Sequence, residues 1–87
     1  MPKELQDTIC KESTYNHIYN THSEGLYRFL YYKYGNRDEA QDKVQEAFVK
    51  LWNKCKEVTP AKAKSFLFTV ANNMMLNVVK HQKVVFA

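Results

Sequence analysis

Eighty-seven residues leave room for one small domain, since a chain of this size hides only about 60–65% of its unfolded surface and cannot build a second core. With 45% hydrophobic and 14% aromatic residues the core needs no metal or disulfide support, and only two glycines and two prolines exclude a turn-rich β-sandwich or a disordered linker. The formal charge of +4 divides unevenly: residues 1–48 carry six bases and eight acids, a net −2, while residues 49–87 carry seven lysines and one acid, Glu57, a net +6. Such a split fits two partners, one of them polyanionic, or a solvated surface of uneven charge.

Four helical segments can be read in chain order. Leu5 and Ile9, four apart, predict a short amphipathic helix over about 2–11. Tyr15, Ile18, Tyr19, His22, Leu26, Phe29, Leu30 and Lys33 follow helical spacing over about 13–34, with Gly25 a candidate kink and Gly35 a C-terminal stop. The third helix, about 37–56, opens with Asn36 as cap and Glu39 three residues on. Its apolar stripe is Ala40, Val44, Ala47, Phe48, Leu51, Trp52 and Cys55. Beside it runs a mostly polar line, Asp42, Gln45, Glu46, Val49 and Asn53.

A lysine-bearing connection follows, and the last helix starts either at Pro60, capped by Thr59, or after Lys64, and runs to about 82. Leu67, Val70, Ala71, Met74 and Val78 form its core face; Phe66, Asn73, Asn77 and Lys80 lie on another. These elements predict an all-α fold, a compact bundle of three to four helices. The abrupt apolar ending, Val84 to Ala87, fits a chain cut mid-sequence.

The enzyme readings fail. Gly25 and Gly35 are isolated, so there is no phosphate loop, and Ser13, Ser23 and Ser65 lack an activating motif. Asp42 and Glu46 are an i, i+4 carboxylate pair, but the Glu-x-x-His segments of a diiron bundle do not occur. His17, His22 and His81 are scattered, and Cys10 and Cys55 form no CxxC pair. No metal or cofactor is expected, and the two thiols are expected to be reduced, with Cys55 a core residue of a cytoplasmic protein. No apolar run reaches the roughly 20 residues of a membrane span.

Two surfaces carry candidate chemistry. In the rear half, lysines flank Phe66 and Phe68, while Asn73 and Asn77 project one turn apart. Asparagine can read a base edge, lysines bind phosphates, and aromatic faces accept unstacked bases. The alternative is exposed asparagines with both phenylalanines in the core. Three asparagines within residues 72–77 call for an explanation either way, because asparagine is a poor helix-interior residue. In the front half, Asp42, Gln45, Glu46 and Val49 make an acidic and amide face suited to a basic partner helix, or a solvated one. Tyr27, Tyr31 and Tyr34 form a stripe for packing or binding.

The stretch AQDKVQEAFVKLW, Ala40 to Trp52, resembles the region-two signature of bacterial sigma factors of the extracytoplasmic-function (ECF) group, within the sigma-70 superfamily. The stretch SFLFTVANNMMLNVVKHQK, Ser65 to Lys83, is similar to that group's following segment. Correctly ordered and separated by a short loop, the two cover about residues 13–83. The resemblance implies a transcription initiation domain, not an enzyme, in which Gln45 and Glu46, joined by Asp42 and Val49, dock on a coiled coil of the largest subunit of core RNA polymerase. It further implies that the last helix and the loop before it recognise and melt the minus-ten promoter element. Asn73 and Asn77 would line the pocket for a flipped base of the non-template strand, with Phe66 near it. Lys62, Lys64 and Lys80 would meet backbone phosphates. An anti-sigma factor is a further expected partner.

Departures are Lys43 for an aliphatic residue, Phe66 for tryptophan, Ala63 for an aromatic and Lys80 for arginine. The family's second domain, which reads the minus-thirty-five element, is expected beyond Ala87. A helical protein-interaction module that binds no nucleic acid is the alternative function.

Overall fold

Helix α1, Glu12–Tyr34, packs against two partners, α2 (Arg37–Asn53) and α3 (Ala63–Phe86), with a 3-10 turn, Pro60–Lys62, leading into α3. This computed structural model describes residues 8–86, and the side chains of residues 8–80. Among the described residues the secondary structure is helix and turn alone, so the fold is the expected all-α bundle. Of the predicted helix over 2–11, residues 1–7 lie outside the described residues, and Ile9 and Cys10 form a turn. No described helix is long and apolar enough to cross a membrane.

Local chemistry sets the ends of the helices. α1 runs on through Gly25 and stops at Gly35, whose φ of 73° is the left-handed conformation that costs glycine least. The Gly35 N–H donates to the Tyr31 carbonyl at 2.7 Å. One residue later the Asn36 side chain accepts from the Glu39 N–H at 3.0 Å and caps α2, with Asp38 and Glu39 at the positive end of the helix dipole.

α2 ends at Asn53, before the expected residue 56, because the chain tightens there. Lys54 N–H is shared between the Lys50 and Leu51 carbonyls at 3.0 and 3.2 Å, and the Lys54 carbonyl then accepts from Glu57 and Val58. Of the two starts open for the last helix, the chain turns at Pro60, as a single 3-10 turn, and becomes α-helical at Ala63.

The core is Ile9, Ile18, Leu26 and Leu30 against Ala40, Val44, Ala47, Phe48 and Leu51 of α2 and Ala63, Leu67, Ala71 and Met75 of α3. The four α3 residues step by four, a ridge of the kind that packs into a neighbouring helix groove, and the alanines on both helices let the backbones approach. Met75 therefore takes the buried place expected for Met74, which is half-buried. Trp52, expected in the core stripe, stays 43% exposed at its edge.

The cysteines correct an expectation. Cys10 and Cys55, read as reduced thiols, are joined in a disulfide with Cα atoms 5.1 Å apart. Docking of Ile9 in the core, fully buried, brings Cys10 onto the turn that follows α2. A separation of 45 residues hides such a pair from any reading of local spacing.

Candidate functional site

Spacings of three, four and seven place Asp42, Gln45, Glu46 and Val49 on one outward face of α2, and all four are exposed. Gln45 is held from behind: its Nε2 donates to the Tyr19 hydroxyl of α1 at 3.1 Å. Tyr19 in turn stands edge-on to Phe48, with ring centroids 4.7 Å apart. The amide is thus anchored to the core through one aromatic contact.

Lys43 is the residue that the sequence noted only as a departure. Its side chain is 14% exposed and its ammonium lies 3.2 Å from Asp42, 3.5 Å from Glu39 and 3.6 Å from Glu46. Burial pulls its pKa down, but the hydrogen bond to Asp42 and the charges of Glu46 and Glu39 outweigh it and leave the pKa raised. Lys43 therefore orders two of the face's carboxylates and offsets part of their charge.

At the end of the face Val49 and Trp52, 57% and 43% exposed, line a groove with Glu12, Tyr15 and Asn16 of α1. Tyr15 fixes the wall. Its hydroxyl donates to the Phe48 carbonyl at 2.9 Å, and its ring stands edge-on to Trp52 at 5.0 Å. Trp52 thus extends the exposed face of α2, a position that its place on an apolar stripe concealed.

On α3, Phe66, Asn73, Asn77 and Lys80 lie along one side over about 21 Å of helix. Asn73, Asn77 and Lys80 are exposed, and Phe66 is half-buried against the core. Lys62 is exposed on the 3-10 turn. Lys64 is exposed but faces elsewhere, because nine residues before Asn73 is half a turn out of phase. Its ammonium stands 5.9 Å over the Phe68 ring, and Phe68 packs on Phe29 of α1 at 5.2 Å. Burial, then the charge of Lys64 and the neighbouring His17, holds the His22 imidazole below its usual pKa.

The third asparagine has a different task. Asn72 Oδ1 accepts from Lys33 Nζ at 3.0 Å and from the Tyr34 hydroxyl at 2.5 Å, tying the last turn of α1 to α3. The Lys33 ammonium also lies over the rings of Phe29 and Tyr34. Of the tyrosine stripe, Tyr27 and Tyr31 stack with centroids 6.0 Å apart, and Tyr34 is bound to Asn72.

The arrangement offers an acidic, amide and indole face on α2 and a polar, basic flank on α3, with no His, Cys, Asp or Glu cluster fit to hold a metal among the described residues. The family model described as Sigma-70 region 2 matches residues 18–84. Over 69 residues the chain is 23% identical to ECF RNA polymerase sigma factor SigE of Mycolicibacterium smegmatis, an alignment covering 79% of this chain and 27% of that protein. The chain thus spans about a quarter of that relative's length. No solved structure gives a significant match.

Proposed function

The chain belongs to the sigma-70 region 2 family, and from that premise we propose that it is the part of an ECF-type transcription initiation factor that binds core RNA polymerase and melts the minus-ten promoter element. The match to the family over residues 18–84 carries the reading, and the exposure of Asp42, Gln45, Glu46 and Val49 on α2 and of Asn73, Asn77 and Lys80 on α3 supports it. The proposed single domain works in the cytoplasm, where polymerase and promoter are, catalyses no reaction itself and is held inactive by an anti-sigma factor.

On α2, Asp42, Gln45, Glu46 and Val49 meet the coiled coil of the largest polymerase subunit. The carboxylates supply charge complementarity to a basic helix, the Gln45 amide supplies both donor and acceptor, and Val49 and Trp52 supply apolar area. On α3, Asn73 and Asn77 donate and accept at the edge of a base flipped out of the melting duplex, with Phe66 as its apolar floor. Lys62 and Lys80 neutralise phosphates of the displaced strand, and Lys64 does so from the α1 side.

Anisotropy titration with fluorescein-labelled single-stranded DNA tests the reading. Affinity should fall with salt at a log–log slope of about −0.7 per phosphate contact. Absence of any salt-dependent binding would favour a protein-interaction module instead. Pull-down of core polymerase, lost on Gln45→Ala with Glu46→Ala, tests the other face.

A further inference from the structure

The only two cysteines of the chain stand at two junctions. Cys10 lies between the buried Ile9 and the first turn of α1, where its N–H donates to the Thr8 hydroxyl at 3.3 Å. Cys55 lies two residues past α2, at the head of the connection that delivers Lys62 and α3. Without the bond, that connection is held by the half-buried Val58 and by the two donors, Glu57 and Val58, on the Lys54 carbonyl. The buried cluster from Ile9 to Met75 has Cys55 only at its edge, so the core packing does not centre on the crosslink.

Two further observations, together with the proposed cytoplasmic setting, separate a switch from a staple. Both cysteines are only half-buried, within reach of small thiols. Lys11, Lys54 and Lys56 adjoin them in sequence, all exposed, and positive charge favours the thiolate that opens and closes disulfides. In a compartment that keeps thiols reduced, the disulfides that do form are mostly transient and redox-sensing.

We propose that Cys10 and Cys55 form a reversible redox switch: the closed bond fixes the connection over residues 54–59 to the N-terminal segment and tightens single-strand DNA binding, and reduction releases both. The DNA consequence rests on the proposed function; the change at residues 54–59 does not. Closure by a low-molecular-weight disulfide balances in two exchanges. One cysteine thiolate attacks oxidised glutathione to give a mixed disulfide and one reduced glutathione. The second cysteine then displaces another reduced glutathione as the Cys10–Cys55 bond forms. A connection held in place loses less freedom on binding, which is why the oxidised form is the tighter one.

The test equilibrates the full chain in glutathione buffers of graded ratio. Thiol alkylation reports bond occupancy, hydrogen exchange reports residues 54–59, and anisotropy reports binding of a short mixed-sequence single-stranded DNA. Oxidation should slow exchange at 54–59 by about tenfold and tighten DNA binding by about threefold. Cys10→Ser should abolish both responses, and Cys55→Ser is the second variant should the first not fold. Equal exchange and affinity in the two states, weaker binding when oxidised, or no bond at any ratio would overturn the switch. If neither state binds DNA, the proposed function fails, and the exchange result alone upholds or overturns the switch.

Discussion

Asn72 and Asn73 are neighbours with separable tasks. Replacing Asn72 with alanine removes the acceptor shared by Lys33 and Tyr34, and should cost about 1–2 kcal/mol in denaturant unfolding with base preference intact. Asn73→Ala should leave unfolding unchanged and cost about 1–3 kcal/mol in discrimination at one promoter position, measured by competition between single-stranded oligonucleotides. The sequence marked the cluster of asparagines as needing an explanation but could not divide it, because the partners of Asn72 lie 38 and 39 residues away. Gln45 was legible as a face residue, whereas its bond to Tyr19 was not. His22 gives a pH test. Its folded pKa is lowered, so the unfolded chain takes up the proton more readily. Stability should be full above the usual histidine value of about 6.5 and fall as pH drops through it. Thermal melts across that range should show the loss, and His22→Gln should flatten it.

At the scale of elements, the glycine within α1 and the one that ends it call for opposite outcomes. A Cβ built on Gly25 meets nothing within 4 Å and the backbone there is helical, so Gly25→Ala should stabilise the bundle by about 0.5–1 kcal/mol. Gly35 also has space, but its φ of +73° makes Gly35→Ala costly by about 1 kcal/mol, although nothing collides. Equilibrium denaturation of both variants checks the pair. The start of α2 at Asn36 and the stop of α1 at Gly35 were legible from local signals, whereas the start of the last helix stayed open between Pro60 and Lys64, and Thr59 makes no side-chain cap. The end of α2 was not, because the apolar spacing continued to Cys55 while the backbone had already tightened at Lys54. The buried side of α3 was legible only to within one residue, since Met74 and Met75 are equally apolar and only the ridge of fours from Ala63 selects between them.

For the whole molecule, the crosslink closes a loop of 45 residues, and opening it should lower unfolding free energy by about 2–4 kcal/mol, measured with and without reductant. The bundle, its single core and its two polar faces were legible from periodicity and charge. The bond and the Lys43 cluster were not, since each depends on how elements dock or on three acids converging on one ammonium. Met75 is the last buried residue of α3 among those whose side chains are described, and the helix continues to Phe86. Asn73 thus lies before the last described core contact of α3, and Asn77 and Lys80 lie after it, like marks on either side of a support. Under the proposed function, a strand of DNA that engages Lys80 would load α3 beyond Met75, while Asn73 stays where the core holds it. One asparagine of the pair would then serve as a fixed datum and the other as a pointer.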